Sequence, residues 1–183
     1  MSKNSFVSME KVTISIKKYI VNYGVILGVI FAIYGFILYI TDNVIDKDWF
    51  FAVISAVILI SVIIYGIYCY KSANDGFLKL SEALKIGIGI ALIGGIIAII
   101  WNALLMNVIE PEMMNQILDA QREKMIANNP NMPQEQIDQS MKFAEKLNST
   151  IIISSFSLIS NLFLGFLISL IGGAIMQKNR DVF

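Results

Sequence analysis

Four almost purely apolar runs constrain this chain more than any other feature of its sequence. They lie at about residues 19–40, 50–70, 86–106 and 151–176, and none of them contains Asp, Glu, Lys or Arg. A helix of about 20 apolar residues, rising 1.5 Å per residue, crosses a hydrocarbon core about 30 Å thick. The sequence therefore predicts an all-α protein in which four transmembrane helices form a bundle.

The composition agrees with a single integral-membrane domain over residues 1–183. Hydrophobic residues make up 56% of the chain and charged residues 15%, whereas soluble proteins average about 25% charged. Lys17 and Lys18 precede the first run as in a signal peptide, but no small-residue cleavage site ends it, so we expect a retained span. Met1 and Met9 both stay open as translation starts.

The basic residues predict which way the spans cross the membrane. Nine of the 14 Lys and Arg residues lie in the N-terminal segment, the second loop and the C-terminal tail. These segments share one side of a four-span protein, and an excess of basic residues marks the cytoplasmic side. Trp49 and Trp101 fall at the opposite, outer ends of their spans, where amphipathic rings favour the interface. We therefore expect both termini in the cytoplasm.

The segment between the third and fourth spans predicts two amphipathic helices outside the membrane. Apolar residues recur at helical spacing from Met114 to Met125, and Pro130 and Pro133 then break the pattern. A second periodic stretch follows, which we expect to run unbroken into span four. The result is an extramembrane helical hairpin over about residues 110–150. Its apolar side chains bury one another or form a partner surface, with these candidates: Met114, Ile117, Leu118, Met125 and Met141.

Small and polar residues recur along the spans and allow two interpretations. Between helices in lipid, small residues permit close approach and amide or hydroxyl groups hydrogen-bond across the contact. On this interpretation the stripes are packing seams of the bundle, and the G-x-x-x-G pair in span one is a weak signal for self-association. On the alternative, the amide and hydroxyl residues line a polar path or a substrate pocket. The candidate residues for both are Gly24, Gly28, Gly94, Asn102, Ser157, Asn161 and Gly165.

No pattern of reactive residues predicts catalysis. The chain contains no His, which excludes Ser-His-Asp and Cys-His arrangements and histidine ligation of a metal. The glycine-rich stretch at residues 87–95 lies within a membrane span rather than in a phosphate-binding loop. The acidic residues of the third loop lack calcium-loop spacing. We therefore expect no catalytic, cofactor-binding or metal-binding residues, and no nucleic-acid partner.

Three stretches of the sequence carry a family resemblance. They are the basic lead into span one at residues 17–24, the glycine turn and polar lead into span three at residues 74–87, and Glu110-Pro111-Glu112 with the helix that follows it. In these features the chain resembles a family of bacterial membrane proteins catalogued as domain of unknown function 4199. The resemblance covers nearly the whole chain. It implies a four-span inner-membrane protein with an outer helical hairpin, and no particular reaction.

Two hypotheses for function follow from these features. The first is a non-enzymatic structural or accessory protein of the bacterial inner membrane, whose outer hairpin contacts a partner. The alternative is a small transporter or channel, which at four spans has to oligomerise to enclose a path. An integral-membrane enzyme is a third, weaker hypothesis. The expected partners are the lipid bilayer and either a second protein or another copy of this chain.

Overall fold

The computed structural model describes residues 14–45 and 49–179. The alternative start Met9 and the basic residues Lys3, Lys11, Lys47 and Arg180 lie outside the described residues. The described part of the chain holds six α-helices and no strand. A short π-helical segment, Leu105–Ile109, continues the third helix. The helices are α1 (Ile16–Ile40), α2 (Trp49–Ala73), α3 (Leu80–Leu104), α4 (Met113–Asn128), α5 (Gln134–Leu147) and α6 (Thr150–Met176).

Four of these helices are long and apolar enough to cross a membrane, namely α1, α2, α3 with its π-helical segment, and α6. The prediction of an all-helical protein with four apolar spans is therefore confirmed for the described residues. The largest shift in a boundary is at α3, which begins at Leu80 rather than near residue 86. The Glu82 carboxylate accepts a hydrogen bond of 2.9 Å from the Lys79 backbone N–H, which caps the extra turn.

Helix α3 is the centre of the bundle, and it packs closely on α1 and α6. A Cβ built on Gly28 of α1 would lie 2.5 Å from the Ile97 Cβ, and one built on Gly165 of α6 would lie 2.5 Å from the Ala91 Cβ. Carbon atoms do not approach so closely, so only glycine permits these backbone separations. The two contacts fix how α1 and α6 are rotated against α3.

The buried core lies toward one end of the bundle. In α2 the buried residues begin at Leu59, and in α6 they begin at Gly165. Leu78 and Lys178 join the chain on either side of this region through two backbone hydrogen bonds of 2.9 Å. We call this the closed end. The other end, where α2 begins and α3 finishes, is the open end, and its packing is looser.

Helices α4 and α5 pack on each other through polar contacts. Arg122 of α4 forms an ion pair with Asp138 of α5, and the Asn148 amide donates a hydrogen bond of 3.1 Å to Gln121. The prediction that the second of these helices runs unbroken into span four is wrong. Helix α5 ends at Leu147, and Ser149 has φ −59° and ψ 139°, outside the helical region. Asn and Ser have low helix propensity, and the bond from the Asn148 side chain to Gln121 holds the end of α5 against α4.

Candidate functional site

A cavity of about 490 Å³ lies between the four spans in the open half of the bundle. This volume is within the range of small-molecule sites. All four spans contribute side chains to it, and none of these carries a charge. The wall consists of Phe31, Tyr34, Gly35 and Leu38 from α1, Trp49, Phe51, Ala52, Ser55, Ala56 and Leu59 from α2, Ala98, Trp101 and Asn102 from α3, and Ser157, Asn161 and Leu164 from α6.

The cavity exists because α2 presents small residues where its partners leave space. Ala52 and Ala56 follow one another at a spacing of four, so they share one face of α2. Both face the cavity and both are exposed. Near the closed end the corresponding positions are occupied by Ile63 and Ile67, which are fully buried. Side-chain size along α2 therefore decides which half of the bundle is filled.

Three of the polar residues identified in the sequence meet in the cavity wall. They are Asn102 on α3 and Ser157 and Asn161 on α6. The Asn102 amide nitrogen donates to the Ala98 carbonyl at 2.9 Å, which leaves its oxygen available as an acceptor. Ser157 and Asn161 make no side-chain hydrogen bond to any other described residue. These groups can therefore bond to a molecule inside the cavity.

The Trp101 ring also lines the cavity, although its position at the end of a span predicts only an interfacial residue. Its Nε1 atom is buried and has no hydrogen-bond partner among the described residues. The ring packs edge-on against Phe36, with centroids 6.1 Å apart, and its nitrogen lies over Gly35, where a Cβ would come within 2.5 Å. An unpaired buried N–H costs about 1–3 kcal/mol. The spacing of Ala98, Trp101 and Asn102 on one helix face was the available signal.

Tyr34 and Ser55 complete the polar side of the cavity, but their hydroxyl groups already donate hydrogen bonds within the protein. Tyr34 donates from α1 to the Phe51 carbonyl of α2 at 2.9 Å. Ser55 donates to the same carbonyl at 3.0 Å. The Tyr34 bond ties α1 to α2 beside the cavity, whereas the Ser55 bond lies within α2. The Ser157 hydroxyl, the Asn161 amide and the second N–H of Asn102 remain as donors without a partner among the described residues.

The other small residues identified in the sequence lie in helix contacts outside the cavity. Gly24 and Gly28 face Ile93 and Ile97 of α3, while Gly94 faces Leu27 of α1. Gly165 faces Ala91, as described above. None of these four glycines lines the cavity. They set the helix separations that position Asn102, Ser157 and Asn161.

The residues identified as a partner surface are all half-buried. Leu118 of α4 and Met141 of α5 come together in a groove of about 350 Å³ between the two helices, beside Arg122 and Asp138. The other three are Met114, Ile117 and Met125. The apolar side chains that α5 does expose include Phe143, at 64% exposure, and Leu147, at 47%. Sequence periodicity missed Phe143 because it lies off the apolar face.

Among the described residues, no three His, Cys, Asp or Glu side chains come close enough to hold a metal ion. No curated protein and no solved structure matches the chain. A family model described as a protein of unknown function, DUF4199, matches residues 22–178. That match contains all four apolar spans except the first residues of α1. By the extent of this match, the chain belongs to the DUF4199 family.

Proposed function

We propose that this protein is a non-enzymatic multi-pass membrane protein that binds a small uncharged molecule in the cavity between its spans. The observation that carries the proposal is the convergence of Asn102, Ser157 and Asn161 on one space whose described lining residues carry no charge. In hydrocarbon an unsatisfied polar group costs several kcal/mol, and polar residues at membrane depth mark sites and pathways. A bound molecule with hydrogen-bonding groups satisfies these side chains.

Binding accounts for the geometry better than conduction through one chain. A channel needs a continuous path, but the closed end is filled by Ile63, Ile67 and Ile90, which are all fully buried. Transport would require these residues to move apart, and an oligomeric channel would require a path between chains. The cavity therefore supports a binding site first, and a transporter or channel stays the alternative function.

We place the protein in the bacterial inner membrane with both termini in the cytoplasm. The support is the excess of basic residues around the closed end, including Lys17, Lys18 and Lys71. In this orientation the cavity opens within the outer leaflet, and α4 and α5 form a hairpin outside the membrane. Labelling introduced cysteines from the outside tests this: in a Cys69→Ala background, Phe143→Cys should react and Asn74→Cys should not.

The binding proposal is tested by the small molecules that remain bound when the protein is extracted with its lipid in nanodiscs. Asn161→Leu removes the amide at similar volume and should abolish retention of a specific molecule detected by native mass spectrometry. Ser155→Leu is the matched control, because Ser155 is exposed on the same helix and does not line the cavity. Identical retained molecules in wild type and both variants would contradict the proposal, provided that circular dichroism shows equal helix content.

An accessory role is the second candidate, and the exposed apolar side chains of α5 favour it. Phe143 and Leu147 lie on a different side of α5 from Met141, which faces α4. Phe143→Ser should remove a reproducible second subunit from the native complex, whereas Lys142→Ser, at an exposed neighbouring position, should retain it. Replacing Met114, Ile117 and Leu118 together by polar residues tests the partner surface that the sequence predicts.

A further inference from the structure

The gap between α2 and α6 determines what can enter the cavity. These helices are neighbours in the bundle, and near the closed end Ile64 of α2 packs over Gly172 of α6. Beside the cavity the residues that these helices contribute to its wall include Ala56 on α2 and Ser157 and Leu164 on α6, which are all exposed. Small side chains on both sides leave a lateral slot in the wall of the bundle, at the level of the membrane's hydrocarbon.

The length of the slot matches one leaflet of a bilayer. Along α2 the cavity wall extends from Trp49 to Leu59. Ten residues at 1.5 Å rise give about 15 Å, which is half of a hydrocarbon core about 30 Å thick. The cavity therefore extends from the interface to the middle of the membrane. A molecule lying lengthwise in it has the dimension of a single acyl chain in one leaflet.

The chemistry of the wall fits the ester region and the chain of a neutral or zwitterionic lipid segment. Phe31, Leu59 and Leu164 provide apolar contact along the slot. The Asn102 amide donates one of its two N–H groups to the Ala98 carbonyl, which leaves the other as a donor. Among the described residues no charged side chain lines the cavity, so they offer no cation to a phosphate, whereas an ester carbonyl can accept from an amide N–H. Interfacial tryptophans lie at the level where lipid esters lie.

We infer that the occupant of the cavity is a membrane lipid, which inserts one acyl chain between α2 and α6 and accepts a hydrogen bond from the second amide N–H of Asn102 through its ester carbonyl. This inference rests on the ligand site proposed above and names the ligand. The lipid enters sideways from the leaflet at the open end. Its charged headgroup stays at the interface beside Trp49.

Fluorescence provides a direct test because the only two tryptophans, Trp49 and Trp101, both line the cavity. Trp49→Phe leaves Trp101 as the single emitter. In vesicles of phosphatidylcholine brominated on one acyl chain, Trp101 should lose most of its fluorescence relative to unbrominated vesicles. Ser157→Leu in this background should restore most of that fluorescence, since leucine fills the slot. Ser155→Leu should leave the quenching unchanged.

Each other outcome is decisive. Equal quenching in all three proteins means that bromine reaches Trp101 from outside the cavity and overturns the lipid proposal. Quenching by aqueous acrylamide without quenching by brominated chains also overturns it, while leaving the proposed site open to a water-borne ligand. If neither reagent reaches Trp101, the cavity is sealed and both proposals fail. Should Ser157→Leu not fold, Ala56→Leu fills the slot from the opposite wall.

Discussion

Replacing Gly165 by alanine tests whether the contact of α3 with α6 positions the cavity wall. The added Cβ would lie 2.5 Å from the Ala91 Cβ and 3.3 Å from the Gly87 carbonyl oxygen. Both atoms are fixed to the backbone of α3, so no side-chain rotation relieves the clash. The helices have to separate by about 1 Å, and a gap of that size forfeits a quarter to a half of each dispersion contact.

Gly95→Ala is the matched control for the size of this effect. It lies on α3 in the same contact, but its nearest neighbour is the Leu158 Cδ1 at 3.0 Å, the end of a flexible side chain. Each substitution gains up to about 1 kcal/mol of helix propensity, which cancels in the comparison. Overpacking costs about 1–3 kcal/mol. The free energy of unfolding of Gly165→Ala should therefore lie about 2 kcal/mol below that of Gly95→Ala.

Unfolding by sodium dodecyl sulfate in mixed micelles, followed by circular dichroism, measures this difference. Adding Ala91→Gly to Gly165→Ala removes the closest clash but costs about 1 kcal/mol of helix propensity, so it should recover about half of the lost free energy. Equal unfolding free energies for Gly165→Ala and Gly95→Ala would refute the reasoning. So would a double variant no more stable than Gly165→Ala alone.

Three further substitutions can be measured in the same unfolding assay. Gly76 has φ +79°, and no described residue lies within 4 Å of a built Cβ, so Gly76→Ala should lower the unfolding free energy by about 1 kcal/mol through backbone strain alone; no loss would contradict this. Tyr34→Phe removes the bond to the Phe51 carbonyl and should cost about 0.6 kcal/mol, the average for such bonds in membranes. Arg122→Ala breaks the ion pair between Arg122 and Asp138, whose side chains are 41% and 48% exposed, respectively. It should lower the unfolding free energy by less than about 1 kcal/mol, and high salt should abolish the difference in unfolding free energy from wild type.

Hydropathy predicted the spans because backbone groups in lipid must be satisfied within a helix. It could not predict where α3 begins, since its first turn lies before the apolar run and depends on the Glu82 cap. Nor does it distinguish the π-helical turn at Leu105–Ile109 from ordinary helix. At α5 the apolar period suggested continuity into span four. The local preference of Asn148 and Ser149 for a helix end was stronger.

The polar side chains of the candidate site were visible in the sequence, but their convergence was not. Whether Asn102 and Asn161 face the same space depends on the rotation of α3 against α6, which the pairing of Gly165 with Ala91 sets. Periodicity identifies each stripe of small residues without saying which stripe meets which. Tryptophan at the end of a span is usually an interfacial anchor, so the sequence predicts only that position for Trp101. Its unpaired nitrogen is a property of the packing against Gly35.

The backbone bridge between Leu78 and Lys178 gives the bundle a pivot. It joins the connection between α2 and α3 to the segment after α6. The ends of these three helices are therefore held together at the closed end. Helix α2 has 25 residues and is about 38 Å long, so a tilt of about 5° moves its far end by about 3 Å. Small changes in the packing of Ile63, Ile67 and Ile90 therefore produce larger displacements of the helix ends beside the slot. Substitutions there should alter the width of the slot without touching its lining.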